Sequence, residues 1–387
     1  MDHLKTSEER QARWYASQLF PRFLPIRDAD SLEDVLEEDT DAIRAIPSDW
    51  LVDGIGGTVL DAILERDGFA VVTGVLTDTE CETSLNLANE WLQAAIFSEN
   101  AILGSQCDRV NWPACVEGGM IPFYGAGHSS FSWFVRSRRK VRLAFEALHK
   151  TTALAASFDG VVLWRHGQVT DRGWFHLDQN PERKPHRACF QGMVNLLTAT
   201  SSTGGNVMVA KSHLHFPDNY TEDGHGCSSF YRARLHELEG DDWLEIDPND
   251  KTILQPDRIV SAELRAGDMI LWDSRTVHCS YPGKGSIPPS DKSDFSDSGL
   301  IRAAVAVCMM PRSTIAADVE QERIQAVNNS RTLTHWVDKS CSLGAERTEE
   351  MKRELSRIYH VREWEKMQRK KVLLELGDLT AEQLDLV

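Results

Sequence analysis

The chain has 387 residues, with 42 Lys and Arg against 59 Asp and Glu, so its formal net charge is −17. A hydrophobic fraction of 41% and a charged fraction of 26% are typical of a globular protein with a real core. The acidity argues against nucleic acid or anionic membranes as partners, because both need clustered Lys and Arg. No apolar run approaches the roughly 20 residues of a membrane span. The N-terminus lacks the apolar core of a secretory signal, so we expect a cytoplasmic protein.

The first third of the chain is predicted to be mainly helical. Residues 1–55 form an acidic leader, helical or irregular, with eight acidic residues between positions 28 and 41. A strand is predicted at 68–72, and amphipathic helices are predicted at 82–97 and 138–149.

From about residue 155 to residue 312, short apolar runs recur between turns rich in Gly, Pro, Asp and Ser. This pattern predicts a sandwich or jelly roll. Two polar stretches, at 214–262 and 281–300, interrupt it and are predicted insertions. We therefore expect one domain over residues 56–340, followed by a helical extension at 341–387.

The eight cysteines form no Cys-x-x-Cys pair, so we expect neither a zinc cage nor a thioredoxin-like motif. A different metal set is suggested by Trp174-Phe175-His176-Leu177-Asp178. In a strand, residues i and i+2 point to the same face, so His176 and Asp178 can reach one ion. His278, which closes a predicted strand over residues 267–278, is the natural third ligand. Two His and one carboxylate on one face of an octahedron are typical of non-haem Fe(II) oxygenases.

A His-x-Asp pair alone is weak evidence for a metal site, but the chain also has an arginine that could bind the anionic end of a metal-bound ligand. A bidentate 2-oxo acid on such a metal has a distal carboxylate, and the planar fork of Arg suits it. Arg302 is the only charge in the apolar run 301–308, and a buried lone Arg needs a partner. Arg312 is the alternative. Ser280 shares the face of His278 if that strand continues, and it can donate to the same carboxylate.

These residues resemble the phytanoyl-CoA dioxygenase family of Fe(II)- and 2-oxoglutarate-dependent oxygenases over roughly residues 120–340. The resemblance also rests on the runs Gln191–Leu196, Gly204-Gly205, Lys211-Ser212-His213 and Trp272–Arg275. It implies a mixed α+β fold with a double-stranded β-helix (jelly roll, cupin-like) core and flanking α-helices.

The resemblance also implies roles for single residues. His176, Asp178 and His278 would ligate iron, and Arg302 and Ser280 would hold the co-substrate 2-oxoglutarate. The implied reaction uses O2 and hydroxylates an unactivated C–H bond of an acyl-CoA, amino acid or secondary metabolite, with release of succinate and CO2. The carboxylate of Asp178 favours hydroxylation, or a related desaturation or cyclisation, over halogenation.

Three other residues are candidates for contacts with the substrate. Arg275 either lines the substrate pocket or pairs with Asp268 or Asp273. Tyr124 and His128 are weaker candidates for substrate contacts.

Two rival functions also stay open. One is a β-helix protein that binds or scaffolds without turnover. The other is a cupin-like metalloenzyme that uses His213 and His215, although no Glu follows them at the usual short spacing.

Overall fold

The computed structural model describes residues 19–37, 41–54, 56–103, 112–166, 170, 172–216, 242–246, 249–283 and 299–339. The predicted C-terminal extension at 341–387 and much of both predicted insertions lie outside the described residues. The division of the chain into leader, domain and extension therefore stays a prediction.

The described residues contain fourteen strands and seven α-helices. The strands are β1 (Arg22–Asp28), β2 (Ile43–Pro47), β3 (Phe69–Thr73), β4 (Met120–Ile121), β5 (Leu154–Ala156), β6 (Val161–Arg165), β7 (His176–Leu177), β8 (Phe190–Asn195), β9 (Gly204–Val209), β10 (Leu244–Glu245), β11 (Ile259–Glu263), β12 (Met269–Asp273), β13 (His278–Pro282) and β14 (Leu300–Pro311). The helices are α1 (Leu32–Leu36), α2 (Ser48–Val52), α3 (Gly56–Asp67), α4 (Asp78–Leu103), α5 (Ser130–Arg136), α6 (Arg139–His149) and α7 (Ala317–Asn328).

The strands form one curled sheet in the order β10-β7-β13-β9-β11-β1-β2-β3-β12-β8-β14-β6-β4, with β5 paired to β14. The sheet has two ends that face each other across the interior, and we call them walls. One wall contains β12, β8, β14 and β6, and the other contains β7, β13, β9 and β11. Trp164 and Met193 of one wall pack in a common core with Met208 and Val260 of the other. A sheet that closes on itself in this way buries one face of every strand. The predicted fold class, a jelly-roll core flanked by helices, is confirmed.

The prediction of a helical or irregular segment at 1–55 missed two strands, β1 and β2, which lie there beside the short helices α1 and α2. Strand β1 pairs in parallel with both β11 and β2, and β2 pairs in parallel with β3. These two strands therefore link the two walls. The many acidic residues of this segment gave no indication of strands. Strands β1 and β2 form because they pair with each other and with β11 and β3, which are distant in the sequence.

Helices cover the outer face of the wall that contains β8, β12 and β14. Helix α6 shows why: Val141, Ala144, Phe145 and Leu148 are buried, at spacings of three and four residues. They join one core cluster with Val194 and other outward-facing residues of that wall. No helix in the described parts of the chain is long and apolar enough to cross a membrane.

The predicted strand over residues 267–278 is two strands, so His278 opens β13 and does not close β12. A turn separates them, in which the Thr276 amide donates to the Asp273 carbonyl at 2.9 Å. The Asp273 side chain also accepts from the Arg275 amide at 2.9 Å. Asp favours such turns because its carboxylate satisfies the backbone two residues on.

Candidate metal centre

Three side chains converge between strands β7 and β13. His176 and His278 stand opposite each other across the antiparallel pair, and Asp178 follows directly after β7. The Nε2 atoms of His176 and His278 lie 3.4 and 3.3 Å from the two carboxylate oxygens of Asp178. One potential ligand atom from each residue falls within 4.8 Å of the other two. The predicted trio is therefore brought together, and it is the only such group of three among the residues that the structure describes.

Backbone carbonyls orient both imidazoles. Nδ1 of His176 lies 3.1 Å from the Trp174 carbonyl oxygen, and Nδ1 of His278 lies 2.9 Å from that of Thr276. A carbonyl oxygen only accepts, so each Nδ1 donates its hydrogen and leaves Nε2 as the atom that would bind a metal. Both Nε2 atoms face Asp178, as metal-binding imidazoles require.

Asp178 is held in its ionised form. Burial opposes ionisation, but the charges and hydrogen bonds of His176 and His278 outweigh it and hold the pKa well below its usual range. The Gln191 amide also donates to Asp178 Oδ2 at 3.2 Å. Gln191 thus contacts the carboxylate of the cluster directly. Two imidazoles and one carboxylate fit the donor set of a non-haem Fe(II) ion.

Aromatic rings enclose the cluster. Trp174 stacks on the His176 ring at 4.8 Å with an interplanar angle of 7°, and Trp243 lies 5.6 Å from the same ring. Trp272 lies 5.0 Å from the His278 ring. These indoles exclude water and raise the strength of electrostatic interactions inside. Trp243 was missed because it lies within a stretch that the sequence presented only as a polar insertion.

A further imidazole, that of His335, lies near the cluster and was also missed. Its Nε2 is buried without a hydrogen-bond partner among the described residues, and its ring packs 4.6 Å from Trp336. Burial lowers the pKa of His335 to about 4, while the charge of Asp178 raises it. The ring is therefore neutral near pH 7. Its sequence context, after α7 and outside any motif, carries no signal for this position.

Arg302 lies on the inner face of β14 and is almost completely buried. Its Nη2 donates to Asn206 Oδ1 at 2.6 Å, and its guanidinium lies 4.3 Å above the Trp164 ring. Nε and Nη1 have no hydrogen-bond partner within the described ranges. Burial lowers the pKa of Arg302 to about 9, while Cys279 raises it. The guanidinium therefore stays protonated near pH 7, with two donors free for an anion.

Ser280 is placed beside this guanidinium by register. Strand β13 does continue beyond His278, so Ser280 shares the face of His278. Ser280 also stands opposite Asn206, the residue that contacts Arg302. The strands thus bring the predicted metal ligands and the predicted co-substrate partners to one interior. Asn206 itself was not predicted, because an Asn in an apolar strand has no signal of its own.

The other predicted substrate residues have structural partners. Arg275 forms a two-pronged ion pair with Asp273, at 2.9 and 2.6 Å, which is one of the two predicted alternatives. Tyr124 packs against the helical core and its carbonyl accepts from the Trp91 indole. His128 is buried, with Nε2 3.1 Å from the Arg331 carbonyl oxygen and its ring 4.6 Å from that of Phe158.

The two histidines of the cupin-like alternative do not converge on an ion among the described residues. Nε2 of His213 lies 3.0 Å from the Glu65 carbonyl oxygen. The ring of His215 lies 3.3 Å from a guanidinium nitrogen of Arg258. Each ring thus has a structural contact, and this alternative has no support.

Comparison with known proteins matches these features to a family. Residues 165–287 match the model of the phytanoyl-CoA dioxygenase family. The match includes all three residues of the cluster, and the resemblance predicted from the sequence is confirmed. The predicted class and cofactors, an iron- and 2-oxoglutarate-dependent oxygenase that uses O2, are thereby confirmed at the level of the family.

One curated relative is Ava biosynthesis cluster protein O of Aspergillus versicolor. It is 28% identical over 267 residues, which cover 64% of this chain and 75% of the relative.

Solved structures with a similar fold are more distant. The epimerase SnoN in complex with Fe3+, alpha ketoglutarate and nogalamycin RO shares 18% identity over 66% of this chain and 83% of its own, with a TM-score of 0.38. The hypothetical protein JW0805 of Escherichia coli shares 13% identity over 81% of this chain and 85% of its own, with a TM-score of 0.49. EvdO2 of Micromonospora carbonacea var. aurantiaca, complexed with 2-oxoglutarate, shares 16% identity over 65% and 89%, with a TM-score of 0.38.

Proposed function

We propose that this protein hydroxylates an unactivated C–H bond of a small organic molecule, with 2-oxoglutarate as co-substrate and succinate and CO2 as co-products. His176, Asp178 and His278 hold Fe(II), and Arg302 with Ser280 binds the co-substrate. The observation that carries the proposal is the convergence of two imidazole nitrogens and one carboxylate within 4.8 Å of one another. Three ligands leave sites open for a bidentate oxo acid and for dioxygen.

Different residues of the chain would bind the metal and the co-substrate. When bound, the iron supplies the oxidising chemistry that side chains alone lack. The chain fixes the ligand atoms through the carbonyl contacts of both imidazoles and the Gln191 amide. Arg302 offers its two free donors to the carboxylate of the oxo acid that does not chelate the metal. The surrounding indoles exclude water from the reacting atoms.

A secondary metabolite is the substrate class we favour over an acyl-CoA or an amino acid. The relative in Aspergillus versicolor carries the name of a biosynthesis cluster. The net charge of −17 disfavours a polyanionic carrier such as coenzyme A.

Anaerobic titration tests the metal and the co-substrate together. Addition of Fe(II) and then 2-oxoglutarate to the purified protein should produce a weak visible charge-transfer band. His176→Ala and His278→Ala should each abolish the band and reduce retained iron, since two ligands do not hold a labile divalent ion. His213→Ala is the matched control, because this buried imidazole contacts a carbonyl outside the cluster.

Turnover is tested by succinate release against a library of secondary metabolites, amino acids and acyl-CoAs. Succinate with a hydroxylated product supports the proposal. No band with the wild-type protein, or a band unchanged in His176→Ala, contradicts the iron site. A band without substrate-dependent succinate would instead favour the scaffold function.

A further inference from the structure

Asn195 is a buried amide without a visible function. It ends strand β8, its side chain is about 1% exposed, and neither Oδ1 nor Nδ2 has a hydrogen-bond partner among the described residues. Buried polar side chains are nearly always paired, because an unpaired one loses its hydration without compensation. A carboxamide with both ends unpaired therefore points to a group that pairs with it when bound.

The register of β8 places Asn195 on the inner face of the curled sheet. Side chains alternate along the strand, so Gln191, Met193 and Asn195 share one face. Gln191 donates to Asp178 of the metal cluster, and Met193 packs in the interior core. Asn195 thus lies on the face that carries the site.

Asn195 is also a neighbour of Arg302. It stands opposite Ala304 of β14, and Arg302 is two residues from Ala304 on the same face. Such diagonal neighbours have Cα atoms about 7–8 Å apart, which leaves room for a small group between long side chains. Met193, one inward position further along β8, still lies 3.7 Å from Arg302 Nη2 through its sulfur. Arg302 therefore reaches along this face, with Nε and Nη1 unpaired.

The distance from the metal ligands fits a dicarboxylic 2-oxo acid. Arg302 contacts Asn206, which stands opposite Ser280, and Ser280 is two residues from His278. Two residues of a strand span about 7 Å. If an oxo acid is held at His176, Asp178 and His278 through its 2-oxo end, its other carboxylate would lie toward Arg302 and Asn195.

We propose that Asn195 binds the carboxylate of the 2-oxo acid remote from the metal, together with Arg302. The Nδ2 group donates to one oxygen, and the free guanidinium donors take the other. This inference rests on the proposed function and assigns a positioning residue to the same site. It predicts that Asn195 discriminates between 2-oxo acids with and without a distal carboxylate.

The test is an anaerobic titration of the Fe(II)-loaded protein with two probes, followed through the charge-transfer band. 2-Oxoglutarate has the distal carboxylate, and 2-oxobutyrate lacks it. Asn195→Ala should raise the Kd of 2-oxoglutarate roughly tenfold or more, as expected for one hydrogen bond to a charged group. The Kd of 2-oxobutyrate and that of Fe(II) should not change. Asn195→Asp should weaken 2-oxoglutarate further, because its carboxylate would pair with Arg302.

Asn89→Ala is the matched control, since Asn89 lies on α4 and its Oδ1 is also without a partner. It should leave all three constants unchanged. Equal changes for both oxo acids in Asn195→Ala, or no change for either, would overturn the proposal and leave a structural role. Failure of the wild-type protein to give a band with either acid would overturn the proposed function as well, and is distinct from both results.

Discussion

The contrast between two buried arginines gives the sharpest prediction. Arg302 uses one of its guanidinium nitrogens on Asn206, and its other donors are unpaired within the described residues. Arg136 is equally buried, but its donors reach the carbonyl oxygens of Gly127, Asp159 and Ala306. We expect Arg302→Met and Arg136→Met to change the stability of the ligand-free protein in different directions.

The magnitude follows from the pKa of Arg302. Burial lowers it from 12.5 to about 9, which corresponds to about 5 kcal/mol against the protonated form in the folded state, at about 1.36 kcal/mol per pKa unit. At pH 7.5, below the folded-state pKa, this penalty is fully present. Replacement by Met removes it, but leaves Asn206 without its donor and loses the contact with Trp164, which together cost about 2–4 kcal/mol. The net effect is a gain of roughly 1–3 kcal/mol, an order-of-magnitude figure.

Burial also lowers the pKa of Arg136, from 12.5 to about 10, which sets about 3 kcal/mol against its protonated form. Arg136→Met leaves three buried carbonyls without their donors, at about 1.5–3 kcal/mol each, so it should destabilise the protein by about 1–5 kcal/mol. Urea unfolding of the metal-free variants at pH 7.5 measures both effects. In the Fe(II)-loaded protein, Arg302→Met should raise the Kd of 2-oxoglutarate roughly 10- to 100-fold. If Arg302→Met destabilises the protein as much as Arg136→Met and leaves the Kd unchanged, Arg302 is a structural residue and the reasoning is refuted.

Two further substitutions address the supports of the site. Gln191→Leu removes the amide that contacts Asp178 and should weaken Fe(II) binding about 10- to 100-fold, measured by metal titration, with the fold unchanged; unchanged affinity would show that the amide does not orient the carboxylate. Gly119 has φ of +75°, and a Cβ there would collide with the Trp164 indole. Gly119→Ala should therefore destabilise the protein by about 1–3 kcal/mol in urea unfolding and alter the near-UV circular dichroism. Gly54→Ala, at φ +79° with nothing near its Cβ, should show only the smaller backbone cost and no spectral change.

The three residues proposed as metal ligands could be selected from their types and from their places in predicted strands. His176 and Asp178 lie two positions apart, and His278 opens a strand whose partner is β7 itself. Residue type and spacing were therefore enough to select these residues, although the predicted bounds of the strand before His278 were wrong. The turn at Asp273 shows the reason: its carboxylate satisfies the backbone and ends β12 within an otherwise apolar run.

The rest of the interior depends on pairing between distant strands, which the sequence does not encode locally. Asn206 contacts Arg302, and Asn195 lies diagonally opposite it, only because β9 and β8 lie where they do in the curled sheet. Trp243 reaches the His176 ring from a stretch that appears in the sequence as a polar insertion. Strand β1 forms in an acidic segment because it has partners on both sides. Tertiary context overrides composition in each case.

The long spacing between His278 and Arg302 along the chain illustrates the same principle. The two residues are 24 positions apart, yet the position of Arg302 depends on strand register and not on the length of the loop before it. Arg302 stands opposite Trp164 of β6, and from Ala304 onward β14 also pairs with β8. Pairs on both sides fix the register, because a slip by one residue would turn Arg302 out of the interior. The cation is therefore held against the indole of Trp164 and the amide of Asn206, on the same face of the sheet as Asn195, whatever path residues 284–298 take between the strands.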